Sequence, residues 1–285
     1  MSAGDATAVR RRGLGTGRLF GSELGLVFGR RRNQVGLATL LGLVVLVGVA
    51  LKVSAMRRPP SRGGDLMTAV AGNGIYLGFA GLTIEIALFL PLAVSVLAGD
   101  AVAGEANLGT LRYLLLAPVS RLRLLAIKAA ALAVGSLIGA LVVAAGGVLT
   151  GVLLFGAGPL VSLSGTQLSV ADGLWRLTLA ALYVAAGLAA LGMIGLFIST
   201  LTEQPIAATV ATAMVGTLLW ILDAVPQLDW LHPWLLVDRW PALVDLLREP
   251  VFLDRIIAGL GVDAGYAALF FVLAWLRFRR KDVTS

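Results

Sequence analysis

The chain has 285 residues, of which 58% are hydrophobic and 14% charged, and its formal net charge is +7. This composition excludes an ordinary soluble domain, and recurring apolar runs of about 20 residues predict an all-α polytopic membrane protein. The absence of cysteine excludes disulfides, thiol nucleophiles and iron–sulfur sites.

The amino-terminal segment is rich in arginine, which sets the expected orientation of the chain. Seven arginines precede the first apolar run, and only Asp5 and Glu23 oppose them. Because positive residues are retained on the cytoplasmic side, the amino terminus is expected in the cytoplasm. Residues 1–16 are predicted to form a disordered tail. Residues 17–32 are predicted to form an amphipathic interfacial helix, with a frayed extension of the first span as the alternative.

Six apolar segments within residues 33–276 are predicted to be transmembrane helices. They cover residues 33–53, 74–98, 126–155, 174–199, 205–223 and 256–276. Pro91 is expected to kink the second span, because proline removes a backbone donor. Basic residues in the last segment, 277–285, indicate a second cytoplasmic tail, so both termini lie on the same side.

Residues 224–255 are neither an ordinary loop nor a span. They contain Trp230, Trp234 and Trp240 together with four prolines. Since tryptophan is enriched at membrane interfaces, a helical hairpin resting in the outer leaflet is predicted before the sixth span. Its acids alternate with arginines, which favours a solvated rim over a metal site; these acids are Asp229, Asp238, Asp245 and Asp254.

Residues 98–128 mix both charge signs between two apolar runs. Leu108, Leu111, Leu114 and Leu115 recur at helical spacing and predict a short amphipathic helix. Asp100 and Glu105 precede this helix, Pro118 ends it, and Arg121, Arg123 and Lys128 follow. The pattern indicates a cytoplasmic helix docked at the membrane surface, with one face exposed to a partner.

The chain offers no catalytic set, and it is predicted not to be an enzyme. It lacks the G-x-x-x-x-G-K-[ST] loop that binds nucleotide phosphates. Ser164 is a candidate serine nucleophile, but it lies in a loop. His232 is the only histidine in the sequence that could act as its general base. Glu85 near the middle of the second span has two open interpretations: a group on a substrate path, or a protonated acid hydrogen-bonded to a neighbouring helix.

The charged stretch resembles the signature of ABC-2-type transporter permeases, the membrane subunits of ABC exporters. The matching residues are Asp100, Glu105, Gly109-Thr110-Leu111, Leu114-Leu115, Pro118-Val119-Ser120-Arg121 and Lys128. Their order, spacing and place after the second span are similar to those of the family, as is GSELGLVFGRRR before the first span. With the six spans and the hairpin before the last of them, the resemblance covers nearly the whole chain.

The resemblance implies a permease dimer in which each chain docks a separate ATPase subunit through a coupling helix. Asp100 and Glu105 would brace the start of this helix, and Pro118 and Arg121 would close it. Its body would be formed by Gly109, Thr110, Leu111, Tyr113 and Leu114. No cofactor is expected on this chain, since ATP and Mg belong to the ATPase. The dimer could consist of two copies of this chain or of two related permeases. Membrane lipid is a further expected partner, and nucleic acid is not expected to bind.

The implied function is export of a drug, lipid or other hydrophobic molecule across a bacterial cell membrane, as in efflux. By analogy with the family, the substrate path lies at the dimer axis between the second and fifth spans. The polar residues that these spans offer are Thr83, Glu85, Thr209, Thr212 and Thr217. The alternative is a secondary transporter driven by an ion gradient, for which Glu85 and Asp263 are the intramembrane acids. Asp263 lies nearer the outer end of the last span, where its side chain is expected to reach toward water.

Overall fold

The computed structural model describes residues 16–57, 69–70, 72–110 and 119–280. The helices are α1 (Thr16–Gly29), α2 (Arg31–Arg57), α3 (Tyr76–Glu85), α4 (Phe89–Ala101), α5 (Ala103–Asn107), α6 (Arg121–Phe155), α7 (Val170–Leu201), α8 (Pro205–Asp223) and α9 (Leu253–Arg279). Strands β1 (Leu160–Val161) and β2 (Gln167–Leu168) and three 3-10 helices (Pro226–Leu228, His232–Trp234 and Trp240–Leu247) complete these elements. Residues 1–15 of the disordered tail predicted for residues 1–16, and residues 281–285 of the second tail, lie outside the described residues.

Among the described residues, five helices are long and apolar enough to cross a membrane, namely α2, α6, α7, α8 and α9. Helices α3 and α4 pass the same test jointly, which raises the number to six. The predicted helical, polytopic architecture is therefore confirmed at this level. The two-residue strands, which pair antiparallel with Leu160 opposite Leu168, are a small departure from an all-α fold.

The second span is broken and not simply kinked. Helices α3 and α4 meet at an angle of 58° across residues 86–88. Pro91 lies one turn after the break, where it cannot donate to the Ala87 carbonyl and its ring crowds that carbonyl. The proline therefore acts on the turn before it, which is why the break precedes Pro91.

Helix α7 is the most buried of the five long candidate spans, and it packs against α4, α6 and α9. Helix α6 crosses α3 with direct backbone contact at Gly74 and Gly151, just before α3 and near the end of α6. A Cβ atom on Gly151 would overlap the carbonyl group of Gly74. Glycine at both positions is what permits this approach.

Helix α6 begins earlier than the predicted third span, which corrects the assignment of its first residues. Ser120 caps the helix, because its Oγ accepts a hydrogen bond from the Arg123 N–H at 3.3 Å. Arg121 and Arg123 therefore lie in the first turn of α6. They do not form the end of a preceding coupling helix.

The segment before α9 also differs from the predicted helical hairpin. It forms three 3-10 helices, each with proline at its first or second position, because a proline every few residues prevents continuous α-helical hydrogen bonding. Trp230 and Trp234 are exposed, whereas Trp240 is 1% exposed and packs edge-on against Trp220. Trp240 is thus a core residue and not an interfacial anchor.

Two acids also differ from their predicted surroundings. Asp245 is 7% exposed and pairs with Arg248 and Arg255, so it is not part of a solvated rim. Asp263, which was expected to reach toward water, is buried. Both carboxylates lie on inward-facing positions of their helices, which alternating charges along a sequence do not reveal.

Candidate functional site

Six charged side chains form a cluster at one end of the helix bundle, hereafter the charged end. They are Glu23, Arg30, Arg32, Asp100, Glu105 and Lys128, three acids and three bases. Helices α1, α4, α5 and α6 and the start of α2 contribute five of them, and Arg30 is the single residue between α1 and α2. The cluster therefore ties the amino-terminal helix to the end of the second span and the start of the third.

Lys128 is the centre of the buried half of this cluster. Its Nζ lies 2.5 Å from Glu105 Oε1 and 3.0 Å from Glu23 Oε1, and its side chain is 1% exposed. Burial raises the pKa of Glu105 above its ordinary value, while the Lys128 ammonium acts in the opposite direction. A buried ammonium needs such partners, because an unpaired charge away from water is strongly unfavourable.

Asp100 is the centre of the more exposed half. Its Oδ2 accepts a hydrogen bond from Arg30 Nη1 at 2.5 Å and a second from Arg32 Nη2. Both arginines lie at the elbow between α1 and α2. The last turn of α4 is thereby attached to this elbow.

Two side-chain amides fix the elbow itself. Asn33 Nδ2 donates to the Val27 carbonyl at 2.7 Å, and Gln34 Nε2 donates to the Phe28 carbonyl at 3.0 Å. These carbonyls belong to the last turn of α1 and have no partner within that helix. The amides therefore end α1 and hold it at a defined angle to α2.

Ser199 of α7 stabilises the break between α4 and α5. Its Oγ accepts hydrogen bonds from the N–H groups of Val102 and Ala103 at 3.1 and 2.8 Å and donates to the Gly99 carbonyl at 3.0 Å. All three backbone groups are left over where α4 ends and α5 begins. The chain can thus turn at Val102 in a fully buried setting.

The predicted coupling segment is described only in part. Gly109 follows α5 with φ +69°, and Thr110 Oγ1 donates to the Glu105 carbonyl at 3.2 Å. Leu111, Tyr113, Leu114 and Pro118 lie outside the described residues. Arg121 donates to the carbonyls of Phe278 and Arg279 at 3.2 and 2.9 Å, so it joins the start of α6 to the end of α9.

The threonines of the predicted substrate path mostly bond within their own helices. Thr83, Thr212 and Thr217 each donate to the carbonyl four residues earlier, at 2.8, 2.7 and 3.0 Å. Thr209 packs against Gly99, where α8 meets α4. Three of the four hydroxyl protons are therefore already engaged, and only Thr217 is exposed.

Glu85 is the acid of the predicted path, and its buried carboxyl group lacks a hydrogen-bond partner among the described residues. It ends α3 at the break in the second span and is 2% exposed. Neither of its carboxyl oxygens has a hydrogen-bond partner among the described residues. The second interpretation of Glu85, an acid hydrogen-bonded to a neighbouring helix, requires a partner that the described residues do not provide.

An apolar cavity of about 270 Å³ opens beside the charged end. It lies between the elbow, α4 and α6, and its walls include Leu40, Leu97 and Gly139. Arg32 and Asn33 line its polar end. Asn33 is 9% exposed, and its Oδ1 is a buried acceptor without a partner among the described residues.

The sequence prediction singled out Asp100 and Glu105 but did not identify the residues that pair with them. It treated Glu23, Arg30 and Arg32 as surface residues of an interfacial helix. Lys128 was the available signal, since it lies inside the predicted third span, where a charge requires a counter-charge. That signal does not identify the partner, because Glu23 is 105 positions away.

The sequence matches the family described as "Protein of unknown function (DUF2705)" over residues 68–284, which is most of the chain. No curated protein matches it. The matched region includes α3 to α9 and excludes α1 and α2. The acids Asp100 and Glu105 therefore lie inside the family region, and their partners Glu23, Arg30 and Arg32 lie outside it.

Proposed function

The chain belongs to the DUF2705 family, and we propose that it is the permease subunit of an ABC exporter, driven by ATP hydrolysed on a separate subunit. The proposal includes the ABC-2 resemblance, a multi-pass location in a bacterial cell membrane and a cytoplasmic charged end. In this proposal the chain carries no ATPase activity. Residues 108–118 form the coupling segment that contacts the ATPase.

The observation that carries the proposal is the bracing of Glu105. This residue lies three positions before the coupling segment and bonds to Lys128 on α6, which in turn bonds to Glu23 on α1. Ser199 fixes the turn just before it from α7. A displacement of the coupling segment would therefore be transmitted to three helices at once, which suits a lever between an ATPase and a membrane path.

The apolar cavity supports a hydrophobic or amphipathic substrate. It is a concave, mostly apolar site with a few polar groups at one end, as ligand sites commonly are. Because the elbow forms one wall, movement of α1 relative to α4 would change its shape. We propose that a drug, lipid or similar molecule enters here from the leaflet at the charged end.

The exposed face of α8 supports a dimer. Its apolar side chains recur at positions three or four apart and include Ile206, Val210, Met214, Leu218 and Ile221. Thr217 lies on this helix, next to a small crevice that also contains Leu88 and Pro91 at the break in the second span. In the proposed dimer, a second permease copy covers this face and encloses the substrate path between the second and fifth spans.

Co-purification with ABC ATPase subunits of the source cell tests the proposal. We expect the native chain to retain the ATPase in detergent and a Leu111→Arg variant to lose it. Gln204→Arg is the matched control, since it adds the same charge at an exposed turn at the charged end. Absence of the ATPase from the native complex under every nucleotide condition, or equal retention by both variants, would refute the assignment.

An ion-gradient-driven transporter is the second candidate, and Glu85 is the observation that favours it. Secondary transporters use discontinuous helices and intramembrane acids at their binding sites, and Glu85 is a buried acid at a helix break. Glu85→Gln separates the two candidates in a reconstituted transport assay. Transport that persists in the variant and requires ATP excludes this candidate, whereas loss of gradient-dependent transport supports it.

A further inference from the structure

Three potential metal ligands meet at the end of the bundle opposite the charged end. They are Asp223, His232 and Asp238, and each places one ligand atom within 4.8 Å of the other two. Asp223 ends α8, His232 begins the second 3-10 helix, and Asp238 precedes the third. Three separate elements thus converge on one point, and all three residues are half-buried.

The charges at this point are not balanced by the described residues. Asp223 Oδ1 is shielded from solvent and has no hydrogen-bond partner there. Arg239 approaches Asp238 at 3.7 Å, and no described residue forms a salt bridge with Asp223. Asp223 is also at the carboxyl end of α8, where the helix dipole adds negative potential. This position therefore favours a cation.

The surroundings of the imidazole are those of a metal ligand. His232 Nε2 lies 3.2 Å from the Val225 carbonyl, and donation to that carbonyl leaves a lone pair on Nδ1. Metal-bound histidines usually donate their other ring N–H to a carbonyl or carboxylate in this way. The exposed Asp229 lies 3.6 Å from Nδ1 and offers a further carboxylate at the rim.

We propose that Asp223, His232 and Asp238 bind a divalent transition metal ion of the Zn²⁺ class. One imidazole and two carboxylates suit Zn²⁺ better than Ca²⁺ or Mg²⁺, which prefer oxygen ligands only. Zn–N and Zn–O bonds are about 2.0–2.2 Å long, so the three side chains rotate inward on binding. The sequence pattern assigned Asp238 to a solvated rim, because the acids of this segment alternate with arginines. In the structure Asp238 lies close to Asp223 and His232, and this arrangement favours a metal site instead.

Bound metal would link α8 to the segment that connects it with α9. This role goes beyond the proposed export function and does not depend on it, because binding is measured on this chain without an ATPase. The site is far along α8 from the contact of Thr209 with Gly99 at the charged end. The two proposals therefore succeed or fail separately.

Equilibrium dialysis of the purified full-length chain against Zn²⁺, after chelator treatment, tests the site. We expect about one Zn²⁺ per native chain. Asp223→Asn and His232→Ala should each weaken binding by more than the roughly 10–100-fold that loss of an outer-shell partner costs. Asp254→Asn is the control, because it removes an exposed acid at the start of α9 and should bind as the native chain does.

Thermal unfolding with and without metal keeps the test decisive if a variant fails to fold. We expect Zn²⁺ to raise the unfolding temperature of the native chain up to a plateau as its concentration increases. The same concentration of Ca²⁺ should leave the unfolding temperature unchanged. A native chain that neither binds nor is stabilised by Zn²⁺, variants that bind it as tightly as native, or equal stabilisation by Ca²⁺ would each overturn the proposal.

Discussion

Lys128 Nζ lies 2.5 Å from Glu105 Oε1 and 3.0 Å from Glu23 Oε1, with its side chain almost fully buried. One ammonium therefore serves two carboxylates from different parts of the chain. The three residues therefore do not contribute equally to the stability of the protein. Loss of either acid leaves Lys128 with a partner, whereas loss of Lys128 leaves the buried Glu105 and the half-buried Glu23 without their shared cation.

Lys128→Met is therefore expected to destabilise the protein much more than Glu105→Gln. Removal of one side of a buried ion pair costs about 3–5 kcal/mol, and Lys128→Met should reach this range. Glu105→Gln keeps the Glu23 pair and a side chain of similar shape, so its cost should be smaller. Thermal unfolding of the detergent-purified variants measures the difference. Equal losses for both variants would mean that Glu23 does not share the ammonium.

Ser199→Ala should destabilise the protein because it leaves buried backbone groups without partners. The two N–H groups of Val102 and Ala103 would lose their acceptor, and each unsatisfied donor costs about 1–3 kcal/mol. Ser136→Ala is the matched control. Ser136 is equally buried, but among the described residues its hydroxyl bonds only to the Leu132 carbonyl within its own helix. Similar unfolding temperatures for the two variants would contradict a bracing role for Ser199.

Hydropathy predicted the helical, polytopic architecture, because crossing a bilayer requires long apolar runs. The charge pattern also located Asp100 and Glu105 beside the break after the second span. The pairing of Lys128 with both Glu105 and Glu23 could not be predicted from the sequence, since the contact with Glu23 depends on how α1 folds back across the elbow. Sequence spacing carries no information on such contacts unless the residues share one helix.

Trp240 and Asp223 illustrate the same limit at the other end of the bundle. A tryptophan beside prolines and charges is typical of an interface, yet the fold turns Trp240 inward against Trp220. Asp223 appears in the sequence as the polar end of a span. Only the folded 3-10 segments bring His232 and Asp238 to it, which is why the metal-ligand arrangement was not predicted.

Gly151→Ala should destabilise the contact between α6 and α3. The added methyl group would overlap the backbone carbonyl of Gly74, and backbone atoms cannot rotate away as a side chain can. Overpacking of this kind costs about 1–3 kcal/mol. Gly265→Ala in α9 is the control, because its Cβ would meet no atom within 4 Å and alanine is the better helix former. A Gly151→Ala variant as stable as Gly265→Ala would show that the helices can separate without cost.

Glu85→Met should stabilise the protein. The carboxyl group of Glu85 is buried without a hydrogen-bond partner among the described residues, and an unsatisfied polar group of this kind costs about 1–3 kcal/mol. Methionine fills a similar volume without that cost, so thermal unfolding in detergent should occur at a higher temperature. Glu203→Gln, at an exposed turn, is the control and should change stability by less than about 0.5 kcal/mol. A lower unfolding temperature for Glu85→Met would mean that the carboxyl group has a partner, such as a bound ion or water, that the native protein requires.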